Sequence, residues 1–222
     1  MNKNRFPKIV VLVAIFSILL FLVACTDINI EECMPSVLEI FIFDKEGIAI
    51  NKGTGFCVKD ENTILSVAHL FEQYNEIGDC IKGYSINGEE FTLALIDVNH
   101  DKDLAILEII NNKMKPLILS DSPSKNLDEV FIIGNTRGYG LSYNKGIISM
   151  AKKTLNINGL SKTVVQTNIT INHGDSGAPV INKNNQIVGM MSFKLTDGNG
   201  QSVDGISFSI LLEDIKAFIK QH

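Results

Sequence analysis

Three side chains that lie far apart in the chain carry the candidate chemistry: His69 in "SVAHL", Asp103 in "DKDLAIL" and Ser176 in "HGDSGAPV". A serine hydroxyl attacks a carbonyl well only when a base takes its proton, and an imidazole oriented by a carboxylate is such a base. Each residue has an ordinary explanation when taken alone. Asp-Ser-Gly is common turn chemistry, because Asp and Ser bond nearby backbone and Gly tolerates positive φ. A histidine closing an apolar strand is usually a satisfied side chain, and an aspartate before an apolar run is usually an edge turn. Together, in the order His, Asp, Ser, they follow one of the chain orders known for a nucleophile, its base and its orienting acid. Such a reaction needs neither a metal nor an organic cofactor.

The elements that must position these residues are short. Apolar or alternating runs such as "VLEIFIF", "TILSVAHL", "FTLALIDV", "LAILEII", "EVFIIGN", "TVVQTNI", "APVIN", "QIVGMMSF" and "GISFSI" are separated by Gly, Asn and Asp. They are rich in Val, Ile, Phe and Thr, the pattern of an all-β sandwich or barrel. Only "LLEDIKAFIK" at the end has helical spacing, with Leu211, Leu212, Ile215, Phe218 and Ile219 on one face. The polar segment "ILSDSPSKNLDE" is the best internal boundary, giving halves 34–118 and 119–222. Each half then holds about six strands, a usual sheet size. His69 and Asp103 fall in the first half and Ser176 in the second, so the chemistry is expected in the cleft between them.

With these motifs in place, the sequence resembles the trypsin-like serine proteases, most closely the bacterial HtrA-like branch. The resemblance runs through "GTGFCVKDENTILSVAHLF", "DKDLAILEI", "VVQTNITINHGDSGAPVINKNNQIVGMMSF" and "GISFSI". It implies an all-β fold of two six-stranded antiparallel β-barrels with a C-terminal α-helix, and a serine endopeptidase that works through an acyl-enzyme. In that reading His69 is the base, Asp103 orients it, Ser176 is the nucleophile, and the backbone N–H groups of Gly174 and Ser176 form the oxyanion hole. The resemblance also places Thr170 at the base of the substrate pocket, Ser192, Phe193 and Lys194 along its wall, and Gly205 opposite. A modest, mainly apolar side chain is the expected occupant, with an acidic one left open by Lys194.

Several positions depart from the family pattern. Ala178 stands for the second glycine of Gly-Asp-Ser-Gly-Gly-Pro, which is unstrained only if its φ is negative. His173 occupies a place where HtrA-like sequences commonly have proline. No activation sequence is visible that would free an apolar amino terminus to pair with the acid before the serine, so Asp175 is expected to find another partner. The PDZ domain common in HtrA-like enzymes is not expected here. A rival reading is a catalytically silent trypsin-like domain acting as an exported protein-binding module.

The start of the chain has a separate meaning. Lys3, Arg5 and Lys8 precede an apolar run from Ile9 to Ala24. This is the build of an export signal, and the run is shorter than the about 20 residues that cross a bilayer comfortably. "LVAC" resembles the lipobox of bacterial lipoproteins. That implies removal of residues 1–24, lipid on Cys25, a spacer over 25–33, and a domain tethered in the bacterial cell envelope and exposed to the periplasm or cell exterior. An uncleaved signal anchor would export the same domain. The net charge of −5, with no basic run, argues against a nucleic-acid partner; protein or peptide substrates and a membrane remain. Cys33, Cys57 and Cys80 leave an odd number once Cys25 is assigned to lipid. One disulfide with a leftover thiol, or three buried small apolar residues, are both open, and the C-x-x-C spacing of a zinc site is missing.

Overall fold

Strand β1 (Val37–Phe43) shows in miniature how the sequence builds the fold: Val37, Leu38, Ile40 and Ile42 are buried, while Glu39, Phe41 and Phe43 alternate onto the other face. One apolar face and one wetter face is what a sheet packed on a single side requires. The computed structural model describes residues 30–157, 160–196 and 202–222. The leader and the lipidation site expected at Cys25 lie outside the described residues.

The first half continues with β2 (Ala49–Cys57), β3 (Thr63–Ser66), β4 (Cys80–Tyr84), β5 (Glu90–Asn99) and β6 (Leu104–Ile109). These close into a barrel in the order β1-β2-β3-β6-β5-β4. Its neighbouring strands are antiparallel throughout.

The second half comprises β7 (Ile118–Leu119), β8 (Glu129–Asn135), β9 (Leu141–Ile157), β10 (Leu160–Thr167), β11 (Pro179–Asn182), β12 (Gln186–Thr196) and β13 (Ser202–Leu211). Its sheet order is β11-β8-β9-β10-β13-β12-β7, and a further pairing of β11 with β12 turns six of the strands into a ring. The seventh, β7, is a two-residue strand added parallel to β12. The expected all-β, two-barrel architecture is therefore present, with one strand more in the second sheet than the pattern predicts.

The terminal helix α1 (Leu212–Ile219) begins one residue after the periodicity predicts, because Leu211 still belongs to β13. It buries Leu212, Ile215, Phe218 and Ile219. Ile215, Phe218 and Ile219 join an apolar cluster that includes Leu104 and Leu107 of the first half and Ile187, Met190 and Ile210 of the second. Two polar contacts hold the same junction from outside: Lys102 to Asp214 at 2.8 Å and His222 Nε2 to Asp97 at 2.9 Å. A helix at the end of the chain thus ties the second half back onto the first.

Cys33 and Cys57 are buried free thiols and Cys80 is an exposed one. Burial pushes Cys33 up to about 11 and Cys57 to about 12, so both are protonated and unreactive near neutral pH. The disulfide left open by the cysteine count does not form among the described residues.

Since Ile215 is fully buried where the halves meet, Ile215→Ala is expected to lower the unfolding free energy by about 2–5 kcal/mol. Lys220→Ala, on an exposed position of the same end, should change it by no more than about 0.5 kcal/mol. Urea titration of both variants checks the contrast.

Candidate active site

Strand β3 ends at Ser66, and the chain then turns through a 3-10 helix, Ala68–Phe71, that carries His69. The sequence placed His69 at the end of a strand; the extra turn lets Leu70 and Phe71 bury beneath it while its ring stays 40% exposed. Asp103 sits immediately before β6, with φ at +57° and only 7% exposure. Aspartate is one of the few side chains that adopts this left-handed conformation without large strain.

The two residues are bonded in several ways. His69 Nδ1 lies 3.0 Å from both carboxylate oxygens of Asp103, and the His69 backbone N–H donates to Asp103 Oδ1 at 3.0 Å. The Ser192 hydroxyl donates to Oδ2. A carboxylate only accepts, so Nδ1 must carry the ring proton and Nε2 is left as the basic nitrogen. Burial pushes the Asp103 carboxyl up, but the hydrogen bond and charge of His69, with the Ser192 hydroxyl and the His69 N–H, outweigh it and hold the group below the usual carboxylate range.

Ser176 and His69 line one cleft of about 460 Å³ together with Phe41, Lys52, His173 and Gly174. The Ser176 hydroxyl donates to the Ser192 carbonyl at 3.1 Å, so in this geometry it does not point at the imidazole. Ser192 therefore touches both ends of the constellation, through its side chain at Asp103 and its carbonyl at Ser176.

The loop before Ser176 is set by its carbonyls. Arg137 N–H donates to the His173 carbonyl at 2.7 Å, and Ala178 N–H to the Asp175 carbonyl at 3.0 Å. In a trans peptide the N–H points opposite the C=O. These two bonds hence turn the Gly174 and Ser176 N–H groups the other way, and among the described residues neither has a protein acceptor. Gly174 has φ +98°, and a Cβ there would lie 2.0 Å from the Asn135 carbonyl; no other residue fits.

Thr54 of β2 fastens this loop to the first half. Its N–H donates to the Ser176 carbonyl at 2.9 Å and its hydroxyl to the Gly174 carbonyl at 2.6 Å, while its oxygen accepts from Asn135 N–H at 2.9 Å. Its own carbonyl accepts from the Ser66 hydroxyl at 2.7 Å. Nothing in "GTGFC" announced this part, because a threonine in a strand has no local feature that marks such contacts.

Asp175 is 2% exposed and takes a 2.8 Å bond from the Thr136 hydroxyl and another from the Asn172 N–H. Burial pushes its carboxyl up, and the Asn172 and Thr136 bonds and the charge of Lys194 offset that only in part. Ala178 is fully buried and is not among the residues of positive φ, so its methyl is unstrained.

The residues expected to form the substrate pocket are spread out. Thr170 is exposed and its carbonyl takes a 2.6 Å bond from Asn144. Ser192 turns to Asp103 rather than lining a wall. Phe193 packs on Phe208, ring centres 5.0 Å apart, with Lys162 over its face. Lys194 reaches the Ile171 carbonyl at 3.3 Å. Gly205 adopts φ +73° beside open space.

The chain and its fold are similar to those of known proteins. The model of the trypsin-like peptidase domain matches residues 53–190. Serine protease HTRA1A of Danio rerio is 28% identical over 202 residues, 86% of this chain and 40% of that protein. The magnetosome formation protease MamE of Magnetospirillum gryphiswaldense is 29% identical over 171 residues, 76% of this chain and 22% of that protein. This chain therefore spans 40% or less of the length of these two relatives. The active form of the Rv3671c protease from M. tuberculosis shares the fold at a TM-score of 0.75 and 20% identity, over 87% of this chain and 84% of that one.

Two measurements test the site's internal bonds. Thr54→Val keeps the shape but strips partners from the Asn135 N–H and the Gly174 carbonyl, and should cost about 1–3 kcal/mol for each group left buried and unpaired. Asp103→Asn bears on pH. A carboxyl depressed in the folded state stabilises the protein above its unfolded pKa of about 3.9, and that contribution is lost as pH falls through the lower folded value. Urea titration should therefore find Asp103→Asn clearly less stable than wild type at neutral pH, with the gap closing in acid.

Proposed function

The chain belongs to the trypsin-like peptidase domain family, and from that premise we propose that it is a membrane-anchored, exported serine endopeptidase. Its substrates are proteins or peptides of the cell envelope, and its tether is lipid on Cys25. The observation that carries the catalytic reading is the double contact of His69 Nδ1 with Asp103, which leaves Nε2 basic in the cleft shared with Ser176.

The reaction follows from these groups. Ser176 Oγ adds to the scissile carbonyl as His69 Nε2 takes its proton, and Asp103 stabilises the imidazolium that forms. The negative charge on the carbonyl oxygen meets the N–H groups of Gly174 and Ser176. Collapse breaks the C–N bond, His69 gives its proton to the leaving amine, and the acyl group stays on Ser176. Water then repeats the sequence with the same base and releases the acid.

One observation favours the rival silent module: the Ser176 hydroxyl rests on the Ser192 carbonyl. Rotation about χ1 of a partly exposed serine takes picoseconds to nanoseconds, far faster than turnover, so the resting bond is no obstacle to attack. The free N–H groups of Gly174 and Ser176 support the enzyme, since a scaffold has no use for unpaired donors in a cleft.

Full-length protein in detergent should react with a fluorophosphonate and cleave casein, and Ser176→Ala should lose both. Gly174→Val should lower turnover by about 10²–10³-fold even where the fold survives, because one oxyanion donor is displaced. Absence of labelling from folded wild type would sink the enzyme and leave the binding module. Cys25→Ala should move the protein from the membrane fraction to the soluble one.

A further inference from the structure

Lys194 carries a charge close to the serine loop that the proposed reaction does not use. The register of β12 is irregular at Ser192, whose hydroxyl reaches Asp103, and Phe193 beyond it packs on Phe208. The placing of Lys194 therefore rests on its own contact. Its ammonium crosses to the Ile171 carbonyl at 3.3 Å, on the segment that leads into Gly174 and Ser176. The buried Asp175 carboxyl feels its charge. Among the described residues no carboxylate lies within ion-pair distance of Lys194. The residue is only partly exposed, so its charge is incompletely hydrated and held by one neutral carbonyl.

Ser176 Oγ already touches the Ser192 carbonyl. With the scissile carbonyl at Ser176 Oγ, a substrate side chain that ran from the acyl side of the bond along this strand would meet Lys194, two residues further on, where its ammonium reaches the Ile171 carbonyl. An apolar side chain there would cover the ammonium without pairing it, and a cationic one would meet like charge; both cost free energy. A carboxylate would replace the weak contact to the Ile171 carbonyl with a charge-assisted bond.

On the reading of Ser176 as the nucleophile, we propose that Lys194 is a specificity-determining residue and that the enzyme cleaves after acidic residues, Glu foremost. This takes up the acidic alternative that Lys194 left open in the sequence, over the mainly apolar preference expected there. The longer Glu carboxylate reaches Nζ with less movement of the lysine than Asp requires.

The test is a set of peptides identical except for Glu, Val or Lys before the scissile bond, given to the full-length protein after fluorophosphonate titration of its active sites. Expected for the wild type is a kcat/KM for Glu at least about tenfold above Val, which corresponds to about 1.4 kcal/mol of differential binding. The advantage should shrink with added salt. Lys194→Met should collapse the Glu to Val ratio, and Lys194→Glu should turn the preference toward the Lys peptide. Wild type that labels fully but cleaves Val as well as Glu overturns the proposal while the protease stands. A Lys194→Met that loses activity equally on all three peptides also overturns it, and assigns Lys194 to balancing Asp175. Wild type that takes no label fails the underlying reading, and the proposal with it.

Discussion

The geometry of the cleft depends on one buried threonine. Thr54 is fully buried; its N–H and hydroxyl reach the serine loop, its oxygen also holds the Asn135 N–H, and its carbonyl takes the Ser66 hydroxyl. Every polar group of the residue is thus satisfied in a seam that water does not enter, where an unmade bond is costly. The base and its acid come from the first half and the nucleophile from the second, so their alignment is a property of this seam. It also dictates nearby sequence. A Cβ on Gly177 would lie 2.0 Å from the Thr54 carbonyl, so that glycine follows from how closely the two halves approach, whereas at Gly174 the obstacle is the Asn135 carbonyl within the second half.

What could be read from the chain alone, and what could not, divides along physical lines. His69, Asp103 and Ser176 were legible because proton transfer to a positioned base tolerates few side-chain types. The run "VLEIFIF" coincides with β1 because alternation in a one-sided sheet is a local signal, and "EVFIIGN" coincides with β8, buried almost throughout, because a short run rich in β-branched and aromatic residues is one too. Ser192, by contrast, was read as pocket wall, since periodicity cannot say which face of "SFK" meets a carboxylate 89 residues away. Thr54 and Thr136 went unnoticed for the same reason, their partners being 120 and 39 residues distant. The strand β7 is two residues long, too short for any periodicity to register.

Asp103 and Asp175, both buried beside the nucleophile's machinery, show how surroundings divide the work between identical side chains. Asp103 faces a ring that gains a positive charge during the reaction, and that hydrogen-bonded partner holds its carboxyl low. It stays ionised across the neutral range and can stabilise an imidazolium. Asp175 faces only dipoles, the Thr136 hydroxyl and the Asn172 N–H, with Lys194 too far for an ion pair. Burial therefore dominates and its carboxyl is pushed up. Environments that drive two carboxyls in opposite directions mark different roles.

Asp175 is then best understood as an anchor for the loop rather than as a participant in proton transfer. It bridges Thr136, just past β8, and Asn172, at the start of the loop, so its two bonds span the turn whose peptides present the Gly174 and Ser176 N–H groups. The same turn is held from the other side by Arg137 at the His173 carbonyl, and Arg137 itself sits next to Thr136 at φ +59°. The 136–138 turn and the 172–176 loop are thus bonded at Thr136 and Arg137 on one and at Asp175 and His173 on the other. Rotating the His173–Gly174 peptide, which would turn a carbonyl into the oxyanion site, requires breaking the bond from Arg137 N–H while Asp175 keeps the remainder of the loop fixed. A chain segment held on both flanks resists that rotation with neither a freed amino terminus nor a cation, and in this protein two short turns supply the restraint.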